Sequence, residues 1–191
     1  MFTYTKPTRT KIDRFIASAR ETDLTYSLIG ETKGEARPPA YTVDHNSIKI
    51  GRGEADFEKA KQAIRHWRMF DMPWVEICWP DTPIEKDQTI AILIRHFGFY
   101  SLNAARIVYT IEEPDWFGFA YGTLRDHGES GEERFSVRFD RETGDVIYDL
   151  YAFSRPNYVS ARLAYPLTRM LQKRFAQDSK TGMLHAVKTF G

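Results

Sequence analysis

The polar residues in this sequence that are the best candidates for binding or catalysis form the triplet Glu132-Glu133-Arg134. It opens a stretch in which apolar and polar residues alternate up to Phe139, the pattern of an antiparallel strand with one buried face. Strand parity puts Glu133 on the same face as Phe135 and Val137, which is the inner face. A carboxyl group turned toward an apolar interior is costly unless it is paired. Glu133 is therefore an ion-pair partner at the sheet edge, or a residue that a bulge turns outward, or a polar anchor or general acid inside a cavity.

Two tyrosines are candidates to accompany this carboxyl group. In the segment Ala105–Ile111 the alternation puts Tyr109 on one side with Ile107 and Ile111, and in Phe117–Leu124 it puts Tyr121 on one side with Phe117 and Phe119. If both face inward, their hydroxyl groups supply hydrogen bonds next to Glu133. The alternative is that both are ordinary core residues of a sheet face.

Histidine and cysteine offer weaker signals. Asp44 and His45 are neighbours in a predicted strand and so point to opposite faces rather than forming a dyad. His127 lies in a predicted turn with Asp126, Glu129 and Ser130, as a turn-capping or surface residue, with a general base as the alternative. Ser130-Gly131, directly after Glu129, is predicted to be a hairpin turn. His66 and His96 are predicted to be packed core residues.

The sequence contains no recognisable motif for a metal site, a cofactor site or a catalytic nucleophile. None of the five histidines falls in a metal-ligand pattern, and Cys78 between Ile77 and Trp79 is predicted to be buried and inert. The loop Gly51–Asp56 lacks the third glycine of a dinucleotide site and carries acidic residues where an anion would bind, so it is predicted to be a tight turn. No cofactor is predicted.

Hydrophobic periodicity supplies the elements that must position these residues. Helical spacing is found near Lys11–Arg20 and from Glu54 to Trp67. The predicted strands are Tyr41–Ile50, Trp74–Trp79, Gln88–Tyr100, Ala105–Ile111, Phe117–Leu124, Glu133–Phe139 and Val146–Phe153. A long helix is predicted from Asn157, with a kink at Pro166 and an end or bend at Gly182. Residues 1–40 are predicted to be a lead-in that packs on a domain of residues 41–191.

This order predicts an α+β protein with an antiparallel meander of about seven strands. A meander of that length is strongly curved, and the C-terminal helix is the natural cover for its concave face. The predicted fold is therefore a helix-grip fold, a curved sheet around a long, kinked C-terminal helix.

Several motifs resemble a known family. The run FGFAYGTLRDHGESGEERF at Phe117–Phe135 resembles the signature of the uncharacterised family UPF0548, also described as DUF1990. Matching stretches occur at Tyr41–Gly53, Ala63–Phe70 and Phe153–Tyr158, in the family's order. Arg125 departs from the pattern, where proline is expected. The resemblance implies a START-like (SRPBCC) helix-grip fold, whose members hold lipids, sterols, polyketides or hormones; it implies no assigned activity.

The strand Phe117–Leu124 leaves the existence of a cavity open. One of its faces carries only Gly118, Ala120 and Gly122, which are too small to fill the gap between sheet and helix. If this small face points inward, a pocket of a few hundred Å³ or more is expected, of the size typical for small ligands. If its aromatic face points inward, a solid core is the competing outcome.

Composition restricts the class of protein. The net charge is +1, so neither nucleic acid nor an anionic membrane is an expected partner. The single cysteine excludes an internal disulfide, no apolar run is long enough to span a membrane, and a cytoplasmic location is expected. Residues 155–191 hold 7 basic and 1 acidic side chains, which leaves a basic C-terminal helix as a surface for a protein partner.

Three functions remain open at this level. The first is binding of a small hydrophobic molecule between sheet and helix. The second is an enzyme of the same fold that uses Glu133 with Tyr109 or Tyr121 for acid–base chemistry. The third is an interaction protein that uses the basic helix. The residues predicted to line the ligand site are Tyr109, Tyr121, Glu133, Phe135, Val137, Leu167 and Leu171.

Overall fold

The computed structural model describes residues 1–157 and 165–189, without the side chain of Tyr165. It contains eight strands, three α-helices and one 3₁₀ turn within these residues. The strands are β1 (Phe2–Thr3), β2 (Thr42–Arg52), β3 (Val75–Cys78), β4 (Thr89–His96), β5 (Phe99–Glu113), β6 (Trp116–Thr123), β7 (Glu129–Phe139) and β8 (Asp145–Pro156). The helices are α1 (Arg9–Arg20), α2 (Gly53–Arg65) and α3 (Tyr165–Thr189), and the 3₁₀ turn is Arg68–Phe70.

All strands belong to one antiparallel sheet in the order β2-β8-β7-β6-β5-β4-β3, with the short β1 paired to β5. The sheet is a meander from β3 to β8, closed by β2 at one edge. Two glycines permit its curvature, because a side chain at Gly118 would collide with the backbone of β7 and one at Gly131 with the backbone of β8. The curved sheet with α3 across its concave face confirms the predicted helix-grip fold.

The largest differences from the predicted strand boundaries lie at the β4–β5 and β6–β7 connections. The predicted strand Gln88–Tyr100 contains a hairpin turn at Phe97-Gly98, where both residues have positive φ, so β4 ends at His96 and β5 begins at Phe99. The segment before Glu133, predicted to be a turn because of its glycines, already belongs to β7. The connection from β6 to β7 lies earlier, where the backbone N–H of His127 donates to the carbonyl of Leu124.

An aromatic core fills one half of the concave face. Phe135 stacks on Phe119 with ring centroids 5.4 Å apart, and Trp67 packs edge-on against Phe119 at 5.1 Å. Helix α3 continues past Gly182, so the predicted end of the helix at this residue is wrong. A Cβ at that position would lie 2.7 Å from the carbonyl oxygen of Arg68, so the glycine permits close contact between α3 and the 3₁₀ turn.

The convex face of the sheet holds the segment that precedes β2. Glu132, which is 2% exposed, accepts hydrogen bonds from the Tyr26 hydroxyl at 2.6 Å and from the backbone N–H groups of Gly30 and Thr32 at 2.8 and 3.0 Å. Arg134 donates to the carbonyl of Thr32 at 2.7 Å. Two neighbouring side chains of β7 thus bind the backbone of the lead-in directly.

Arg134 is completely buried beneath this segment. Its guanidinium group contacts the carboxylates of Asp149 at 2.5 Å and Glu35 at 3.1 Å, and lies 5.4 and 5.3 Å from the ring centroids of Trp116 and Tyr151. Buried charges persist when they are paired and hydrogen-bonded, as this one is.

Part of the prediction for the C-terminal helix lies outside the described residues. The predicted start at Asn157 precedes residues 158–164, and Pro166 falls in the first described turn of α3. The predicted kink depends on the carbonyl group four residues before Pro166, which lies outside the described residues, so it stays a prediction. Among the described residues, no helix is long and apolar enough to cross a membrane.

Candidate functional site

A cavity of about 1020 Å³ lies between the concave face of the sheet and α3. Its floor is formed by Phe70 and Phe175, whose rings pack on Phe135 at the edge of the aromatic core. Its walls are mostly apolar side chains of β4, β8 and α3. Phe97 and Leu167, which are 57% and 39% exposed, also line it, so the cavity reaches the surface at their end. The volume exceeds that of most pockets for small ligands.

Glu133 lines this cavity, and its carboxyl group is hydrogen-bonded to the phenol group of Tyr121. The Tyr121 hydroxyl donates to Glu133 Oε2 at 2.5 Å, and the two residues are cross-strand partners in β6 and β7. Burial raises the pKa of Glu133 to about 7; the hydrogen bond from Tyr121 offsets part of this, and the charge of Asp44 adds to it. Burial and the adjacent carboxyl raise the pKa of Tyr121 well above its ordinary value, so its hydroxyl remains a donor.

The structure divides the seven predicted site residues into three groups. Tyr121, Glu133, Leu167 and Leu171 line the cavity. Phe135 and Val137 face the same side of the sheet but are fully buried in the aromatic core.

Tyr109 is the residue whose predicted orientation is wrong. The pairing of β5 with β6 shifts between Ile107 and Tyr109, so an extra residue turns the Tyr109 side chain to the convex face. Its hydroxyl group lies 2.7 Å from Thr32 Oγ1 in the lead-in. Tyr109 therefore cannot supply a hydroxyl to Glu133.

The face of β6 that carries Gly118, Ala120 and Gly122 points to the convex side of the sheet. The alternative in which this small face points toward the helix is therefore wrong. A side chain at Gly122 would collide with the Tyr26 hydroxyl on the convex side. Phe117, Phe119 and Tyr121 point inward, yet they fill only part of the concave face. The cavity exists because the aromatic side chains end at Tyr121, and the next inward positions, Thr123 and Gly131, are small.

Polar residues that the sequence analysis did not assign to the site lie at the end of the cavity beyond Glu133. Asp44 accepts two hydrogen bonds from Arg169 of α3, at 2.5 and 2.6 Å. Glu129 shares the inward face of β7 with Glu133, as strand parity requires for residues four apart. The signal was available in the spacing, but the glycines around Glu129 favoured a turn.

The histidines do not form a catalytic set. His66 is exposed, contrary to the prediction that it is packed in the core. His127, predicted to be a turn or surface residue, lines the cavity, and its Nδ1 accepts the backbone N–H of Glu129 at 3.1 Å. Burial lowers the pKa of His127 to about 4, so its ring is neutral near pH 7. Cys78 is buried, and burial raises the pKa of its thiol to about 12.

One cluster on the convex face has the composition of a metal site. Potential ligand atoms of Glu35, His45 and Asp149 lie within 4.8 Å of one another. Arg134 already pairs with both carboxylates, and His45 Nε2 lies 2.6 Å from the other oxygen of Asp149. The guanidinium group accounts for this arrangement as an ion-pair network that holds the lead-in.

The raised pKa of Glu133 predicts a specific pH dependence of stability. Its folded pKa of about 7 exceeds the ordinary value of 4.5, so its stabilising contribution is fully present below about pH 4.5 and is lost as the pH rises through 7. Glu133→Gln imitates the protonated carboxyl group, so the variant does not lose this stability when the pH rises. Between about pH 5 and pH 8, its unfolding free energy should rise relative to the native protein by up to ~3 kcal/mol in urea denaturation.

Glu58→Gln is the matched control for this measurement. Glu58 is exposed on α2, far from the cavity, and pairs with Lys61. Its difference from the native protein should not change with pH over the same interval. If the stability curves of Glu133→Gln and the native protein run parallel from pH 5 to 8, the pKa of Glu133 is not raised in the folded protein.

The curved sheet, the helix across its concave face and the cavity between them define a helix-grip protein. Residues 25–181 match the family model described as "Domain of unknown function (DUF1990)", and the chain belongs to this family. A UPF0548 protein from Dictyostelium discoideum is 37% identical, covering 98% of this chain and 96% of its own length. A UPF0548 protein from Deinococcus radiodurans is 36% identical, covering 93% and 94%.

The fold extends to solved structures of low sequence identity. The crystal structure of the hypothetical protein jhp0584 from Helicobacter pylori aligns with a TM-score of 0.52 at 15% identity. The alignment covers 76% of this chain and 86% of that one. At this identity, the likeness concerns the fold alone.

Proposed function

We propose that the protein binds a small, largely apolar molecule in the cavity between the sheet and α3. The observation that carries this proposal is the cavity of about 1020 Å³, with mainly apolar walls and a few polar groups at one end. A filled core would have closed this space, since protein interiors are otherwise packed to the density of organic crystals. The Tyr121–Glu133 pair is the polar anchor that would orient the ligand.

The position of the anchor supports this role. Glu133 and Tyr121 lie where the aromatic core ends and the open space begins, and both contribute to the cavity wall. Near pH 7 the Glu133 carboxyl exists in both protonation states, so it can donate to a carbonyl group or accept from a hydroxyl or amine.

Closing the cavity from both walls tests the proposal. Ala152 lies on β8 beside Glu133, and Leu171 faces it from α3. We expect Ala152→Trp and Leu171→Trp each to weaken binding of an apolar fluorescent probe by about tenfold, and the double variant to abolish it, because the indoles occupy the ligand's space. Fluorescence titration measures the affinities.

Ala17→Trp is the control, because Ala17 is exposed on α1 and lies outside the cavity. It should bind the probe like the native protein. Native mass spectrometry of the purified protein should also detect a co-purified small molecule that the double variant lacks. Unchanged probe binding in a folded double variant would refute the proposal.

An acid–base enzyme of the same fold is the second candidate, favoured by the pKa of Glu133 near 7. A carboxyl group with a pKa close to the working pH is suited to general acid or base catalysis, and it must lie within hydrogen-bond reach of the reacting atom. Tyr121 would hold the carboxyl in place. Identification of a bound molecule that is chemically altered by native protein, but not by Glu133→Gln, would establish this function.

Docking of a protein partner on the basic C-terminal helix is the weakest proposal. Two of the basic side chains of α3 serve the protein's own fold. Arg169 binds Asp44, and Arg174 lies over the Trp74 ring, 4.8 Å from its centroid, and pairs with Asp178.

A further inference from the structure

The end of the cavity beyond Glu133 is acidic. Asp44, Glu129 and Glu133 all line the cavity, and the exposed Asp126 lies at the same end in the β6–β7 turn. Arg169 neutralises Asp44 through its two terminal nitrogens. The negative charges of Glu129 and Glu133 have no such direct cation among the described residues.

Glu129 is the unusual member of this group. Glu129 is 9% exposed, and within residues 1–157 and 165–189 neither of its carboxyl oxygens has a partner at hydrogen-bond geometry. Ser154 and Gln172 are the polar side chains nearby, and the Gln172 amide donates to the Ser154 hydroxyl oxygen at 3.2 Å. A buried carboxyl group without a partner loses its hydration and regains nothing, which is unfavourable by about 1–3 kcal/mol or more. A group that lines a cavity and lacks a partner in the folded chain indicates a ligand group that completes it.

The charged and polar groups around Glu129 show which ligand group fits. Burial raises the pKa of Glu129; polar contacts with Ser154 and Gln172 that fall short of hydrogen-bond geometry, and the charge of Arg169, offset this only in part, while Asp44 adds to it. His127 contributes no positive charge near pH 7, because its ring is neutral and its Nδ1 acts as an acceptor. A carboxylate or phosphate on a ligand would be repelled here, whereas an ammonium group would supply both the missing donors and the missing charge.

We propose that the ligand is an amphipathic amine, an apolar molecule whose protonated amino group binds the Glu129 carboxylate at the acidic end of the cavity. This inference rests on the proposed ligand-binding function and specifies the chemical class of the ligand. The apolar body would extend from Glu129 past the Tyr121–Glu133 pair toward Phe70 and Phe175, which form the cavity floor.

A matched series of probes tests the class. The probes are 2-(1-naphthyl)ethylamine, 2-(1-naphthyl)ethanol and 1-naphthylacetate, which share an aromatic body and carry a cation, a neutral hydroxyl group and an anion. Isothermal titration calorimetry would be performed at about pH 7.5, where an alkylamine is protonated. The native protein should bind the amine at least about tenfold more tightly than the alcohol, and the carboxylate most weakly, since a charge-assisted hydrogen bond contributes a factor of this size.

Two variants at Glu129 test whether this residue is responsible for the preference for the amine. Glu129→Gln keeps the shape and removes the charge, and it should reduce amine affinity to about that of the alcohol while changing alcohol affinity by less than about threefold. Glu129→Met serves if the glutamine variant is unstable. Glu58→Gln, on the surface of α2, should retain the native preference.

The outcomes distinguish this inference from the proposed function. Equal affinity of the native protein for amine and alcohol, or an amine preference that survives in both Glu129 variants, would overturn the amine assignment and leave the ligand-binding proposal intact. Tighter binding of 1-naphthylacetate would also overturn it. Failure of all three probes to bind the native protein would count against both.

Discussion

Arg134→Met is expected to lower the free energy of unfolding by about 3–5 kcal/mol, because removal of one partner from a buried ion pair leaves the other charge uncompensated. Arg134 is fully buried and binds Asp149, Glu35 and the carbonyl oxygen of Thr32. The variant leaves Asp149, which is 7% exposed, with His45 as its remaining side-chain partner among the described residues, and it removes one bond that holds the lead-in to β7. Urea denaturation monitored by tryptophan fluorescence gives the change directly.

Arg138→Met is the matched control. Arg138 lies on the same face of β7, also stacks on Trp116 and reaches Glu35, but its side chain is 44% exposed. Exposed ion pairs contribute about 1 kcal/mol or less, so this variant should remain close to native stability. Equal losses for the two arginines would show that burial does not control the contribution of Arg134.

A double variant separates the ion pair from the packing. Arg134→Met combined with Asp149→Leu removes both buried charges, and replacing a buried pair with apolar residues is often nearly neutral. We expect the double variant to lose much less stability than the sum of the single variants, as contacting residues do in such cycles. Hydrogen exchange of residues 30–36 should increase in every variant that lacks Arg134, because these residues lose their bond to β7.

The helix-grip architecture followed from the sequence because its determinants are local and periodic. The alternation around Val137 placed Glu133 on the concave face, and the order of strands and helices identified the covering helix. Both arguments depend only on the two-residue repeat of a strand and the 3.6-residue repeat of a helix. The family motifs agreed with this interpretation, since they fall mainly in the same elements.

The incorrect predictions arose where a single extra residue changes the strand register, and where a glycine could belong either to a turn or to the interior of a strand. The extra residue between Ile107 and Tyr109 has no signature in the local sequence, yet it reverses the orientation of Tyr109. Gly131 indicated a turn, but it lies within β7 because the backbone of β8 approaches it too closely for a side chain. Placing the turn there removed Glu129 from the predicted inward face.

The cavity itself could not be predicted from residue sizes. Its existence depends on how far the aromatic side chains of Phe119 and Phe135 extend along the concave face relative to α3. That distance is fixed by the sheet curvature and by the helix position, which are tertiary properties. The Asp44–Arg169 pair likewise joins residues 125 positions apart, which a local pattern cannot connect.

Phe135→Ala is expected to cost about 3–5 kcal/mol of unfolding free energy, because it removes a fully buried ring from the centre of the aromatic core. Phe135 packs against Phe119, Tyr121 and Phe70 with centroid distances of 5.4 to 5.5 Å. Phe97→Ala is the control at the exposed mouth of the cavity, where the same substitution should change stability by no more than about 0.5 kcal/mol.

The same variant decides whether Phe135 is a core residue or a ligand contact. The lost ring adds empty space behind Phe70 and Phe175, which line the cavity, so a core role predicts that affinity for an apolar probe changes by less than about threefold or increases. Phe135→Leu, expected to cost about 1–2 kcal/mol, provides a second measurement if the alanine variant does not fold. A small loss of stability combined with a tenfold or larger loss of probe affinity would instead identify Phe135 as part of the ligand site, and would move the boundary of that site from Tyr121 into the aromatic core.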